Sequence, residues 1–344
     1  MSAEAARAYE EQQRRRREEE EREAAKRGAV ATGRGRGADT PGEIPASGWK
    51  DVLWRTYQEI TNDRVLLVAA GVTFYLLLAL APLLAAFVSI YGLFLDPAEI
   101  AAQASALAGV VPGGAVDILT GQLERLAQAG GSTLGIAFLV SLAIALWSAN
   151  AGMKSLFEAM NVAYDEREGR SFLKLNAVTM TFTVSLIATV IALIAFNTAF
   201  TTFQESVGLK IPNWIVNLVT AGIALLVLMT FIAALYRYGP DREDAEWKWI
   251  TPGAVFAAIA AIVVSVLFSF YVANFGSYNE TYGSLGAVIG FMTWLWLMLT
   301  VIVLGGELNS EIEHQTAQDT TTGHDEPMGE RGAVKADTVG ETYG

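Results

Sequence analysis

The sequence predicts an all-α integral membrane protein with six transmembrane helices, an outer helical hairpin between helices 1 and 2, and disordered tails. Three observations lead to this prediction. First, six stretches contain no charged residue, and each is as long as the roughly 20 apolar residues needed to cross a hydrocarbon core. They are residues 65–95, 129–153, 175–204, 211–236, 249–279 and 281–306. Second, their apolar residues are continuous and do not alternate, which favours helices over barrel strands. Third, Lys and Arg are unevenly distributed between them.

The two ends of the chain are polar. We expect residues 1–46 to form a disordered charged tail and residues 314–344 a disordered acidic tail, on either side of a membrane domain at 47–313. Residues 1–64 hold 13 basic and 13 acidic residues, whereas nine acids and two bases follow Gly306. The N-terminal arginines are compatible with binding to anionic lipid or to RNA. Because the charges balance, we favour a solvated tail that helps to set topology and expect no nucleic acid partner.

A short amphipathic helix is predicted at 49–64, lying on the membrane surface before the first span. Apolar residues recur there at helical spacing, and two tryptophans are placed to anchor it at the interface. These residues are Val52, Leu53, Tyr57 and Ile60, with Trp49 and Trp54.

The six spans are predicted at about 65–95, 131–153, 175–204, 211–236, 250–274 and 283–306. Between the first two, apolar residues at helical spacing on both sides of a Pro-Gly-Gly break predict outer helices at about 98–129. Pro82 predicts a kink in the first span. Thr251 is expected to be the N-cap of the fifth span, with Pro252 at its first helical position. The sixth span is expected to continue past Gly306 into water.

The charge distribution predicts the orientation. Alternate segments between the spans, counted with the tails, hold 22 Lys and Arg residues on one side and two on the other. The short loops alone give seven against two. Basic segments stay in the cytoplasm, so both termini are expected there, as an even number of spans requires.

The residue types exclude most catalytic chemistry. The chain has no cysteine, and its two histidines, His314 and His324, lie in the C-terminal tail. No cluster has metal-ligand spacing, and no nucleotide-binding or hydrolase motif is present. No ionisable residue lies centrally in a span, which argues against a relay of buried acids. We therefore predict no catalytic residue, no metal and no cofactor.

Neutral polar residues provide the candidate binding site. The segment joining spans five and six carries more hydrogen-bonding side chains than a turn requires, so it is interpreted either as the rim of an outer pocket or as an aromatic interfacial belt. Its candidates are Asn274, Tyr278, Asn279, Glu280 and Tyr282. Within spans two and three the candidates are Asn150, Thr183 and Asn197. These three groups could either bond helix to helix or line a polar cavity.

Several motifs resemble the YihY/BrkB family of bacterial inner-membrane proteins, over about residues 52–313. They are Gly71-Val72-Thr73-Phe74-Tyr75, Asn161-Val162-Ala163-Tyr164-Asp165, Thr251-Pro252-Gly253, the run from Tyr271 to Val288, and Gly306-Glu307-Leu308-Asn309. The resemblance implies six spans with both termini inside. It implies no settled activity, because members have been named virulence factors or, mistakenly, ribonuclease BN.

Together these features lead us to expect an inner-membrane transporter or translocation factor for an amphipathic, lipid-like envelope molecule, with membrane lipids as partners. The alternative is a structural or assembly factor for the envelope that transports nothing. A ribonuclease is the least favoured reading, because no set of carboxylates is placed to hold two metal ions. The oligomeric state stays open.

Overall fold

The computed structural model describes residues 33–91, 136–207, 212–275 and 285–343. These ranges contain a 3-10 helix at Pro41–Glu43 and eight α-helices. The helices are α1 (Ala46–Asn62), α2 (Val65–Tyr91), α3 (Ile136–Ala163), α4 (Phe172–Val207), α5 (Asn213–Tyr238), α6 (Trp247–Phe275), α7 (Leu285–Glu313) and the short α8 (Val334–Asp337). Extended backbone in the same ranges pairs at one isolated bridge, between Ala245 and Thr321.

The long helices confirm a multi-pass helical protein. Each predicted span coincides with a helix of at least 26 residues, from α2 to α7. Among the described residues, four helices are long and apolar enough to cross a membrane: Phe172–Leu193, Leu218–Tyr238, Trp247–Val272 and Val288–Glu313. The pair Ala46–Asn62 and Val65–Leu80, bent by 59°, would make a fifth. The number six stays a prediction, and the outer helices at 98–129 lie outside the described residues.

The start of α6 differs from the prediction. The helix begins at Trp247, and Thr251 is inside it, where its hydroxyl donates a hydrogen bond to the Trp247 carbonyl at 2.6 Å. Pro252 is likewise inside the helix. Trp249 and Ile250 are fully buried. Their packing extends the helix by more than a turn before the point where local capping preferences would start it.

One face of α1 is buried against the protein and includes two charged residues, while two of the predicted apolar residues are exposed. Asp51, Val52 and Arg55 are buried, whereas Leu53 is 58% exposed and Tyr57 is 73% exposed. This arrangement agrees with a helix that contacts protein polar groups on one face and lipid on the other.

The helices are arranged around two close pairs, α2 with α3 and α6 with α7. Helix α7 also packs on α1, α2 and α3, while α4 packs mainly on α3 and α5 mainly on α6. The share of buried residues is 39% in the apolar span of α7 and 11% in that of α5. Helix α7 is therefore central and α5 peripheral. Helices α4 and α5 scarcely meet, and their ring contact joins Phe182 and Phe231, whose centroids are 5.7 Å apart.

The main hydrophobic core lies at one end of this bundle, which we call the closed end. It is formed by the first turns of α2 and α6 and the last turns of α3, α5 and α7. Fully buried side chains there include Phe157, Met160, Tyr164, Ile232 and Leu235. In the other half, a small cluster joins α3 to α4 around Ala145 and Ile187.

Both described tail segments pack on the closed end, which differs from the disordered tails predicted from composition. Residues 33–46 and 314–343 contain buried side chains, including Ala38, Ile44, Ala317, Arg331 and Ala336. Composition suggested disorder because these segments have few apolar residues. Their arginines, however, bond carbonyl oxygens: Arg331 donates to the carbonyls of Ala317 (3.0 Å), Gln318 (2.9 Å) and Ala336 (2.7 Å). Residues 1–32 lie outside the described part.

Candidate functional site

Helices α6 and α7 approach each other closely at two glycines of the closed end. A Cβ atom on Gly253 would lie 2.1 Å from the Gly305 carbonyl oxygen, and a Cβ on Gly305 would lie 2.2 Å from the Tyr236 hydroxyl. Neither position has room for a side chain. Small residues of this kind let helix backbones approach closely in membrane proteins.

Asn309 of α7 forms two hydrogen bonds to the backbone of α6 at this crossing. Its Oδ1 accepts a hydrogen bond from the Gly253 N–H at 2.7 Å, and its Nδ2 donates to the Ile250 carbonyl at 2.8 Å. Pro252 lies between these two backbone groups and has no N–H, so the regular hydrogen-bond ladder of α6 is interrupted there. The side chain of Asn309 satisfies the backbone groups beside the interruption, as buried backbone requires.

A second junction joins the α3–α4 loop to the α5–α6 loop. The Oδ1 of Asn161 accepts from the Asp241 N–H at 2.8 Å, and its Nδ2 donates to Glu168 at 3.1 Å. Arg170 binds Glu168 and donates to the Gly239 carbonyl at 2.7 Å. Burial opposes ionisation of Glu168, but hydrogen bonds from Arg170 and Asn161 prevail and lower its pKa.

The last two turns of α7 carry three fully buried glutamates, Glu307, Glu311 and Glu313. The sequence predicted that this part of the helix would enter water. Instead, α1, the loops and the C-terminal tail cover it. A buried carboxylate is stable only when it is paired, and two of the three have cationic partners drawn from those covering segments.

Glu311 is the most connected of these acids. Arg55 of α1 forms an ion pair with it, and its carboxylate accepts from the Lys335 ammonium at 2.7 Å. Lys335 also contacts Asp165 at 2.9 Å. Burial disfavours the charged ammonium, but the charges of Glu311 and Asp165 prevail and raise the pKa of Lys335. Lys335 thus links the tail to α7 and to the α3–α4 loop.

Glu313 has its own set of partners. The Arg242 guanidinium binds its carboxylate at 2.6 Å, and the Thr320 hydroxyl donates to the same oxygen at 3.0 Å. Arg242 also lies over the ring of Tyr164, 5.1 Å from the centroid. Burial raises the pKa of that tyrosine, so its hydroxyl stays protonated at neutral pH.

Glu307 differs from both, because neither of its carboxylate oxygens accepts a hydrogen bond from a donor group in the described part of the chain. The charged groups that influence it electrostatically include Asp63, Lys335, Glu59 and Glu311. Three of these four are acids.

The sequence-predicted site residues are only partly brought together. Asn150 and Thr183 do meet: the Thr183 hydroxyl donates to Asn150 Oδ1 at 3.3 Å, and Asn150 Nδ2 donates to Asn176 Oδ1 at 3.4 Å. All three are buried between α3 and α4. Asn197 lies in α4 and Asn274 near the end of α6, without described side chains. Tyr278, Asn279, Glu280 and Tyr282 lie outside the described residues.

The closed-end residues were missed as site candidates, although their motifs were noticed. Asn161, Thr251-Pro252-Gly253 and Gly306-Glu307-Leu308-Asn309 stood out as family signatures, and the structure brings them to one place. A usable signal was present. One apolar helix contains a proline, and another contains two glycines followed within one turn by an asparagine. Such residues are expected where two helices cross closely and a backbone hydrogen bond is missing.

Among the described residues, no group of three or more His, Asp or Glu side chains is arranged to hold a metal ion.

Comparison with known proteins places the chain in a family. The family model "Virulence factor BrkB" matches residues 56–329. A relative from Bacillus subtilis, named "Putative ribonuclease-like protein YfkH", is 35% identical over 48% of this chain and 62% of its own length. UPF0761 membrane proteins from Nitrosospira multiformis and Pseudoalteromonas translucida are 26% and 24% identical, over 71% and 79% of this chain and 57% and 88% of their own lengths.

The chain thus spans about three fifths of the length of the first two of these relatives. No solved structure matches it. Because the family model covers most of the chain, including every motif that meets at the closed end, this protein belongs to the virulence factor BrkB family of membrane proteins.

Proposed function

We propose that this protein lies in the bacterial inner membrane with six spans and that it moves or accommodates an amphipathic, lipid-like envelope molecule between α4 and α5. One observation carries the proposal. The buried core holds the helices together at the closed end, whereas α4 packs mainly on α3, α5 packs mainly on α6, and their described residues scarcely contact each other. Such an arrangement offers acyl chains an apolar entrance from the bilayer beyond the Phe182–Phe231 contact.

In this proposal both termini are cytoplasmic, so the closed end faces the cytoplasm and the opposite half faces outward. The 22-to-2 distribution of Lys and Arg supports this orientation. The candidate rim of Asn274, Tyr278, Asn279, Glu280 and Tyr282 then lies at the outer ends of α6 and α7, where it would meet a polar headgroup. Helix α1, with Leu53 and Tyr57 exposed, rests on the inner membrane surface.

The orientation is tested by cysteine labelling, since the native chain has no cysteine. Single cysteines at Ser132 and Ser277 should react with a membrane-impermeant maleimide in intact cells, and a cysteine at Ser171 should react only after permeabilisation. Labelling of the Ser171 position in sealed cells contradicts the orientation.

The lipid role is tested in vesicles of phosphatidylglycerol and phosphatidylethanolamine that carry a fluorescent phospholipid. Dithionite bleaches only the outer leaflet, so protein-free vesicles lose about half of their signal. Vesicles with the protein should lose more, at a rate that rises with protein content. Heat-unfolded protein is the control.

A matched pair of substitutions on α5 locates the path. Ala224 precedes Phe231 by seven residues and shares its face of the helix, so Ala224→Trp should narrow the gap toward α4 and slow transfer. Leu226 is exposed and lies about 140° around the helix from Phe231, so Leu226→Trp should leave the rate unchanged. Equal rates for the two variants place the path elsewhere.

The alternative function is a structural factor for the envelope that moves no lipid. The buried hydrogen bonds among Asn150, Asn176 and Thr183 favour this alternative. These side chains use one another as hydrogen-bond partners and so hold α3 against α4. Under this alternative, vesicles show no transfer, while the protein still restores growth of a deletion strain under envelope stress.

A further inference from the structure

Lys154 of α3 differs from the other cations that lie over aromatic rings in the described part of the chain. Its Nζ lies 5.2 Å from the centroid of the Trp147 ring and 5.7 Å from that of the Phe172 ring. Lys154 forms no ion pair with a described carboxylate. Each of the other cations in such contacts does form one: Arg170, Arg237, Arg242 and Lys248. The Lys154 ammonium is therefore a cation held in place without a counter-charge.

The position of Lys154 along the chain places it at the edge of the hydrocarbon core. It is the first charged residue after the uncharged run 129–153. Phe172, which lies beside its ammonium, is the first residue of α4. The end of an apolar run marks the boundary between acyl chains and headgroups. An ammonium at this boundary is within reach of lipid phosphates.

An exposed apolar stripe runs along α3 from Lys154 toward the other end of the helix. Val140, Ile144 and Trp147 are each more than half exposed. With Lys154 they occupy positions i, i+4, i+7 and i+14, which share one face of a helix. Phe172 is also exposed, and its ring centroid lies 6.3 Å from that of Trp147. An apolar stripe that ends in a cation matches the order of groups in a phospholipid, an acyl chain followed by a phosphate.

The two helices that form this surface are joined by buried hydrogen bonds next to it. Asn176 donates to the Phe172 carbonyl at 2.7 Å, and Asn150, one turn before Lys154, donates to Asn176 at 3.4 Å. The first turn of α4 is thus held against α3. The rings beside the ammonium are positioned before any ligand arrives, which lowers the entropic cost of binding.

Glu158 provides a second charge on the same face. It is exposed and lies four positions after Lys154, or about 6 Å farther along the helix axis. The Lys154 side chain points back toward Trp147, and the two residues form no ion pair. A cation followed by a carboxylate one turn closer to the cytoplasm complements a zwitterionic headgroup, in which a phosphate is followed by an ammonium.

We propose that this face of α3 and α4 binds one molecule of phosphatidylethanolamine from the cytoplasmic leaflet. The Lys154 ammonium donates to the phosphate oxygens, and the lipid's primary ammonium donates to the Glu158 carboxylate. An acyl chain lies along Val140, Ile144 and Trp147. The choice of leaflet rests on the orientation proposed above. The binding does not depend on lipid transfer between α4 and α5, so the two proposals can fail separately.

Thermal melting of the full-length protein tests the headgroup preference. The protein is purified in detergent, freed of lipid, and melted after addition of dioleoyl phosphatidylethanolamine, phosphatidylglycerol or phosphatidylcholine at equal mole fractions. A ligand that binds the folded state raises the melting temperature. Phosphatidylethanolamine should raise it most, because phosphatidylglycerol has no ammonium and phosphatidylcholine has no N–H to donate. Native mass spectrometry of the same mixtures counts the lipid molecules retained.

Substitutions assign the two charges. Lys154→Met should weaken binding of phosphatidylethanolamine about tenfold, the loss expected for a hydrogen bond to a charged group, and Lys154→Arg should retain it. Glu158→Gln should remove the preference over phosphatidylglycerol without abolishing phospholipid binding. Lys174→Met is the matched control, since Lys174 is exposed and lies about 200° around α4 from Phe172. Melting without lipid confirms that each variant is folded.

Three outcomes overturn the proposal. The first is equal stabilisation of the wild type by the three phospholipids. The second is a response of Lys154→Met to phosphatidylethanolamine that is as large as that of the wild type. The third is stabilisation by soluble phosphoethanolamine as strong as that by the lipid, which would assign the two charges to a water-soluble ligand.

Discussion

Arg55 of α1 and Glu311 of α7 form a buried ion pair, although they are 256 residues apart in the sequence. The same guanidinium donates to the Glu311 carbonyl at 3.0 Å and to the Gln315 side chain at 2.8 Å. One arginine thus joins the first described helix to the last long one and to the start of the C-terminal tail. At this junction the ion pair adds to the apolar packing of Val52, Trp249 and Ile312.

Removing that arginine should destabilise the protein strongly. Arg55→Met leaves Glu311 buried without one of its cations, and breaking a buried pair in this way costs about 3–5 kcal/mol. The melting temperature in detergent should fall clearly. Lys50→Met removes an exposed positive charge from the same helix and should have little effect. Equal melting temperatures for the two variants would show that the Arg55–Glu311 ion pair makes no net contribution to stability. Glu311→Gln added to Arg55→Met should recover part of the loss.

Gly253→Ala should disrupt the α6–α7 crossing. The new methyl group would meet the Gly305 carbonyl and the Asn309 side chain, and overpacking of this kind costs about 1–3 kcal/mol. Gly222→Ala is the matched control, since a Cβ atom there meets nothing within 4 Å. Thermal unfolding of both variants, with size-exclusion chromatography, measures the difference. If the Gly253→Ala protein were as stable as the Gly222→Ala protein, the close contact between α6 and α7 at Gly253 would be contradicted.

Thr183→Val distinguishes packing from function in the α3–α4 polar network. The change keeps the shape of the side chain but removes the bond to Asn150, at an expected cost of about 0.6 kcal/mol. Thr181→Val removes a hydroxyl on the exposed side of the same helix and should cost less. If the network serves packing, lipid transfer per folded molecule is unchanged in both. A selective loss of transfer in Thr183→Val assigns the network to the path.

Acid should loosen the junction between the α3–α4 and α5–α6 loops through Glu168. Because Arg170 and Asn161 hold the pKa of Glu168 below its usual value against the opposing effect of burial, its contribution to stability is present above the unfolded pKa of about 4.3 and is lost as the pH falls through the folded pKa. Melting temperatures measured from pH 7 down to pH 3 should show this loss in the wild type.

Glu168→Gln should flatten that part of the pH profile, because it removes the titrating group. Glu158→Gln, which changes an exposed carboxyl on α3, should retain the wild-type profile. Identical profiles for the wild type and Glu168→Gln would mean that another group causes the acid sensitivity.

The sequence by itself determined the class of the protein and the approximate bounds of its long helices. A hydrocarbon core demands about 20 apolar residues per span, and that demand is local, so uncharged runs such as 175–204 and 211–236 predict helices close to α4 and α5. The family motifs were also visible in the residues. The role of those motifs could not be read from the sequence, because a glycine or an asparagine at a helix crossing produces no periodic pattern.

The tertiary structure alone decided how the polar residues are used. Local pattern placed Glu311 and Glu313 in water and the tail in disorder, because charged segments with few apolar residues cannot form a core by themselves. In the folded chain, Arg55, Arg242 and Lys335 approach these acids from distant segments, and the burial of each charge depends on the presence of its partner. These pairs join residues 24, 71 and 256 positions apart, a separation that leaves no local pattern. Only the assembled closed end therefore shows that Glu311 and Glu313 are paired, while the Glu307 carboxylate has no hydrogen-bond partner among the described residues.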